Sequence, residues 1–165
     1  MATCTTSSNM VGKTLVVGIA IDGCGDDVFT GLTYLPLGTI NDKQLEFSAN
    51  TDDNTNDLSG AVTSSIVVNT SFSLSVSGFL ATDDSALSAQ NALIQYYWDE
   101  LNAGRQPTVW LKVSGPGYPR IWHVFANFTG STEGHGTTAT STISFDFETT
   151  DTGVAQSAVN LTAAP

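Results

Sequence analysis

Two stretches of the chain alternate strictly between apolar and polar residues. In SFSLSVSGFL, Phe72, Leu74, Val76 and Leu80 fall on one side while Ser71, Ser73, Ser75 and Ser77 fall on the other. In TTATSTISFDFET, Ala139, Ile143, Phe145 and Phe147 oppose Thr138, Thr140, Thr142, Ser144 and Asp146. Strands with one dry and one wet face build antiparallel sheets, whereas a doubly covered parallel sheet needs strands that are apolar throughout. The wet faces are made of short hydroxyls and acids, with no lysine or arginine.

Further strands are predicted at 13–21 (KTLVVGIAI), 32–38 (LTYLPLG), 43–49 (KQLEFSA), 62–68 (VTSSIVV), 107–113 (PTVWLKV) and 120–128 (RIWHVFANF). Pro36 removes a ladder donor and places its segment at an edge or a bulge. The SGPGYP link at 114–119 predicts a hairpin. The fold class expected is mainly β: an antiparallel β-sandwich or barrel-like sheet pair with one packed α-helix.

That helix is the one segment with a different period. From Asp83 to Gly104, Leu87, Ile94 and Leu101 recur seven apart and are expected to pack the helix on a sheet, with Leu93 and Tyr96 broadening the apolar side. Asp83, Asp84 and Ser85 suit the first turn, and Gly104 suits the left-handed residue that ends it. Asp99 and Glu100 sit badly with the dipole at that end, where Arg105 can offset them.

Residues 48–61, SANTDDNTNDLSGA, are expected to form a polar loop. Its portion Asn50, Thr51, Asp52, Asp53, Asn54, Thr55, Asn56, Asp57 and Leu58 cannot form a dry core, and its length points to a partner, so it is a candidate inter-subunit loop.

Composition narrows the function. The 165 residues are 41% hydrophobic, with 5 basic against 16 acidic side chains and a formal net charge of −11. One domain of this size buries roughly 70% of its surface without staples. The organisation expected is a flexible N-terminal segment at 1–11, a β domain at 12–153, and a polar tail or arm at 154–165. The negative charge disfavours grasping of nucleic acid or an anionic bilayer. No basic region followed by an apolar core opens the chain and no run is long enough to span a bilayer, so synthesis in a cytoplasm without membrane insertion is expected. Cys4 and Cys24 are too few for a disulfide scaffold. The sequons at Asn69, Asn127 and Asn160 are expected to be silent.

Candidate chemistry is sparse. Asp52, Asn54 and Asn56 have the alternate spacing of a calcium loop, but Asp57 stands where glycine is needed and Thr63 where a bidentate acid is needed. Asp22, Asp26 and Asp27 in IDGCGDD read as a turn. The GKT at 12–14 lacks the earlier glycine of a phosphate loop and opens a strand. His123 lies in an apolar strand and His135 between glycines, without zinc-ligand spacing. Asp146 and Glu148 share a strand face, but nothing marks a cleft for glycoside chemistry. Neither an enzyme nor a cofactor is expected.

The ordered set GKTLVVGIAI, GLTYLPLGTINDKQLEFSANTDDNTND, FSLSVSGFLATDD, a helix, PTVWLKVS, RIWHVFANFTGS and TSTISFDFETTDTG covers roughly residues 12–153. It resembles the major tail tube proteins of long-tailed, non-contractile bacteriophages, of the phage major tail protein 2 type. The resemblance implies the phage tail tube fold and a structural role. Six copies form a ring, rings stack into a tube, and each subunit adds strands to an inner barrel that conducts DNA during ejection. It implies self-association, contacts with tape measure protein and with tail tip or terminator proteins, DNA passing without specific binding, and location in the virion tail. Ser71, Ser73, Ser75, Ser77, Thr140, Thr142, Ser144 and Asp146 would then line the lumen. The helix would lie outside the inner sheet, and the 41–61 segment would reach the next ring. The sequence departs from the family at NTDDNTND, where no lysine follows, and in its long polar C-terminal remainder. The alternative is a β-sandwich binding or virion decoration module recognising carbohydrate or a surface partner, for which Tyr118, Trp122 and Trp110 are the aromatic candidates.

Overall fold

A computed structural model describes residues 15–21, 24–25, 27–53, 65–81, 84–137, 140–153 and 157–164. The strands are β1 (Val16–Ala20), β2 (Leu35–Pro36), β3 (Ile40–Asp53), β4 (Ser65–Phe79), β5 (Thr108–Ser114), β6 (Arg120–Gly134), β7 (Thr142–Thr149) and β8 (Val159–Ala163). The helix α1 (Asp84–Asn102) joins β4 to β5, and a 3-10 turn at Phe29–Gly31 precedes β2. All pairings are antiparallel, in the order β2-β1-β5-β6-β7-β4-β3, with β8 beside the first half of β6.

β6 is the spine. Its residues 122–127 pair with β5, its residues 126–134 with β7, and Arg120–Val124 with β8. Leu37, fully buried, extends the β2–β1 ladder by donating its N–H to Val17 O at 3.0 Å, and the chain then passes from this end strand directly to the other, β3. Gly38 and Thr39 then turn the chain into β3 with positive φ of 61° and 29°. Gly78 is required opposite this corner, because a Cβ there would stand 2.2 Å from Thr39 O.

Alternation sets the core. Phe72, Leu74 and Val76 of β4 and Ile143, Phe145 and Phe147 of β7 are buried, together with the inward residues of β1, β5 and β6. The reverse face of β1, β5 and β6 carries a second cluster, Ala20, Trp110 and Phe125, roofed by Phe29, Leu32 and Tyr34. Two-residue β2 lies at the sheet edge, where Pro36 costs no ladder bond. A turn through Gly117 (φ 76°) closes the β5–β6 hairpin.

α1 ends as its sequence predicts. Gly104 takes φ 71°, and Arg105 N and Gly104 N bond to Glu100 O (2.9 Å) and Leu101 O (3.0 Å). The Arg105 guanidinium forks onto Glu100 at 2.6 and 2.7 Å and holds that carboxyl below its usual range.

Three expectations are corrected. The packing stripe Leu87, Ile94 and Leu101 is corrected in part: Ile94 packs half-buried against the core and Leu87 is half-buried, but the fully covered residues are Leu93, Ala89 and Gln90, and Leu101 is 43% exposed. The apolar side of this helix is broad, so periodicity alone does not select the contact line, and Leu101 is not covered. Residues 48–53 are strand rather than loop: Asn50, Thr51, Asp52 and Asp53 pair with Asn69, Val67, Ile66 and Ser65, which makes 65–79 one continuous strand. The loop residues Asn54, Thr55, Asn56, Asp57 and Leu58 lie outside the described residues. The segment expected as a C-terminal tail supplies β8, whose Val159 and Leu161 stand opposite Val124 and Trp122. Residues 1–11, with Cys4, and Asp22, Asp26, Asp83, Thr138 and Ala139 are also outside the described residues.

Candidate functional site

The wet faces found in the sequence come together on one four-stranded surface, β3-β4-β7 and the second half of β6. The ladders align Glu46, Ser73, Glu148 and Asn127 in one row, Gln44, Ser75, Asp146 and Gly130 in the next, and Asp42, Ser77, Ser144 and Thr132 in a third. Ser48 and Ser71 begin a further row, their hydroxyls 2.5 Å apart. Thr142 lies opposite Phe79 and Gly134 at the far end, and Thr140 is exposed just before β7.

All eight predicted residues are thus exposed or half-exposed, and seven lie in the paired strands of this face. Sequence reasoning left out Asp42, Gln44, Glu46, Ser48 and Glu148. The alternation of Gln44, Glu46 and Ser48 with Leu45 and Phe47 was the available signal.

Its electrostatics follow from residue type. Asp42, Glu46, Asp146 and Glu148 contribute four carboxylates, and neither ion pair among the described residues, Arg105–Glu100 or Glu133–His135, involves them. The Ser75 hydroxyl donates to Asp146 Oδ1, and Thr129 Oγ1 to Asp146 O at 3.0 Å. Lys43 belongs to the opposite face: it lies across from Val76, and its Nζ donates to Ile40 O at 3.1 Å. Burial lowers its pKa, with Asp42 opposing.

The surface is an exposed sheet face of short polar side chains, and both histidines lie off it. His123 is 5% exposed, its ring 4.8 Å from that of Phe29. Tyr34 donates its single hydroxyl proton to Phe29 O at 2.7 Å, so the 3.3 Å contact with His123 has Nδ1–H as donor. Burial lowers the His123 pKa, Lys112 adding to the effect, and burial pushes Tyr34 up to about 12. His135 bridges Ser141 (3.1 Å) and Glu133 (3.2 Å) in the exposed β6–β7 turn. Asp27 accepts from Cys24 N at 2.7 Å, a turn contact. No three His, Cys, Asp or Glu residues among the described residues cluster as metal ligands do.

The aromatic candidates for a binding platform are otherwise engaged. Trp110 is fully buried and donates to Cys24 O at 2.8 Å. Trp122 donates to Tyr118 at 3.1 Å and lies under Phe47, ring centroids 4.8 Å apart.

No family model matches the sequence, and no curated protein matches it. Solved structures do. The chain is similar to a protein in the virion of a native gene transfer agent particle, with a TM-score of 0.65 at 16% identity over 94% of this chain and 100% of that one. It is similar to a chain in the tail of an empty gene transfer agent particle, refined with helical and C6 symmetry, with a TM-score of 0.63 at 18% identity and the same coverage. The SPP1 tail tube protein gives 0.55 at 12% identity over 86% of this chain and 76% of that one. The fold is that of the phage tail tube. At these identities the likeness is one of fold.

Proposed function

We propose that this chain is a structural subunit of a virion tail tube, self-associating into rings, six copies each, that stack around a lumen through which DNA passes. The observation that carries the reading is the four-stranded face of short hydroxyls and carboxylates, set on a tail tube fold. Short side chains keep a bore open. Carboxylates repel phosphate, and the absence of bases on the face removes the contacts whose counterion release would hold a duplex. Ser71, Ser73, Ser75, Ser77, Thr140, Thr142, Ser144 and Asp146 line the bore in this account, joined by the acids of β3 and by Glu148.

Free edges support assembly. Among the described residues β3 is the last strand of the sheet, and the β5 side of β6 is bonded only as far as Phe128, leaving residues 129–134 without a strand partner on that side. One four-stranded sheet with two open edges suits head-to-tail closure between copies, which removes both edges. The sixfold symmetry of the empty gene transfer agent tail supports the ring order. Asn50–Asp53 lie at the end of β3, and the segment Asn50–Leu58 forms a contact between subunits in this account. Tape measure and tail tip or terminator proteins are the further partners, and the chain acts in the virion tail after synthesis in the host cytoplasm.

Light scattering across a wide concentration range tests this. Growth from the 17.3 kDa chain to rings and longer assemblies is expected; a monomer at every concentration overturns the reading.

A further inference from the structure

Residues 28–34 cross the reverse face of β1, β5 and β6 as a strap without a backbone tie to the sheet among the described residues. Its backbone bond is internal, Gly31 N to Val28 O at 2.8 Å, and the Tyr34 hydroxyl also donates back into the strap, to Phe29 O at 2.7 Å. Val28, Thr30, Gly31 and Thr33 are exposed, while Phe29, Leu32 and Tyr34 pack down on Ala20, Trp110 and Phe125. The chain is anchored on either side. Trp110 Nε1 donates to Cys24 O at 2.8 Å before the strap, and β2 pairs with β1 after it.

The middle of the strap rests on one side chain. The His123 ring lies 4.8 Å from that of Phe29 and 5.7 Å from that of Tyr34, and its Nδ1–H donates to the Tyr34 hydroxyl at 3.3 Å. Among the described residues this is the hydrogen bond that joins the strap to the strands beneath it. The seat suits a neutral ring. His123 is 5% exposed, its cross-strand neighbour on β5 is Lys112, whose ammonium stands 5.6 Å from the Tyr34 ring, and its neighbour on β8 is the uncharged Asn160. Tyr34 keeps its proton, and no carboxylate among the described residues offsets a charge on the imidazole. Burial and Lys112 therefore both hold the ring neutral below its usual range.

We infer that residues 28–34 are an acid-released strap: protonation of His123 lifts Phe29 and Tyr34 from the sheet and opens the Ala20, Trp110 and Phe125 cluster to water. The opened patch adjoins the wet face, because His123, Phe125 and Asn127 alternate onto one face of β6 and Asn127 stands in the row of Glu46, Ser73 and Glu148. With one proton taken up on opening, the open population rises by up to about tenfold per pH unit as pH falls below the ordinary histidine value, and levels off once the closed form is protonated as well. The strap does not depend on the tube reading, so its failure leaves that reading intact.

Two readouts test it. In a Trp98→Phe, Trp122→Phe background Trp110 is the remaining indole, and its quenching by acrylamide should be weak at pH 8 and stronger at pH 5, while circular dichroism still reports the folded sheet. The same background carrying His123→Gln should resist quenching equally at both. In the unaltered chain, exchange of the Gly31 amide, corrected for the intrinsic effect of pH on exchange, should show opening that increases by up to about tenfold per pH unit below pH 6.5. Equal quenching at the two pH values in the folded background, an acid-induced rise that survives His123→Gln, or Gly31 opening indifferent to pH would overturn the strap.

Discussion

Ser75 of β4 and Asp146 of β7 face each other in the ladder, the serine hydroxyl donating to the aspartate carboxylate in the middle of the wet face. The bond holds a negative charge in place between two strands with no base alongside it. A surface so built repels phosphate and offers nothing for it to grip, which is the property a conduit needs.

Adding cations to this face should reverse that property. Ser73→Lys with Thr142→Lys leaves the buried side of both strands untouched, since Ser73 is half-exposed and Thr142 exposed, and folding should be retained. Genome release timed from morphologically normal tails should slow, and more at low salt than at high salt. Unchanged release at both salt concentrations, with both lysines charged and accessible to the bore, would rule out the repulsive lining.

The helix contact makes a paired prediction. Leu93 is fully buried, so Leu93→Ala should cost about 2–5 kcal/mol in denaturant unfolding through lost transfer energy and a cavity. Leu101→Ala should cost under about 0.5 kcal/mol, the range of surface positions. Half-buried Ile94→Ala should fall between them.

Gln90 is a fully buried polar clamp. Its Oε1 accepts from Ala81 N at 3.0 Å, and its Nε2 donates to Leu37 O at 3.0 Å and Thr39 Oγ1 at 3.3 Å, tying the helix to the corner between β2 and β3. Gln90→Leu strands backbone groups that each cost ~1–3 kcal/mol when buried unpaired. A loss of at least ~2 kcal/mol is expected, and a neutral result in the same unfolding assay would contradict the clamp.

Acid should loosen the roof over the second cluster. The folded-state pKa of His123 lies below its ordinary value of 6.5, so the unfolded chain takes up the proton first. The His123 contribution to stability is therefore unchanged above that value and declines as pH falls below it. Protonation would place charge beside Phe29 and near Lys112, with Tyr34 neutral. In unfolding measured from pH 8 to pH 5, His123→Gln should show a shallower acid loss than the wild type; parallel profiles would contradict the assignment.

The legible parts of the fold are those where one side chain in two, or one helix face, must leave water. Phe72, Leu74, Val76, Phe145 and Phe147 declared their strands because their burial is one-sided, and Gly104 declared a helix end because few other residues accept its φ. Asn50–Asp53 read as a loop because neither side of that strand is buried in the subunit, so no alternation marks it; register with Ser65–Asn69 makes it a strand. β8 is five residues long and its pairing partner lies far back in the chain, beyond the reach of local pattern. Gln90 was hidden by its polarity, since its burial depends on three partners outside its own helix, two of them some fifty residues back in the chain.

Cryo-electron microscopy of the purified chain at high concentration bears most directly on the central claim. The account predicts stacked rings around an open bore, with Ser73, Ser75, Ser144 and Asp146 facing the channel and α1 outside the sheet. Discrete 17.3 kDa particles at all concentrations, or tubes in which that face is turned outward or buried between subunits, would contradict it.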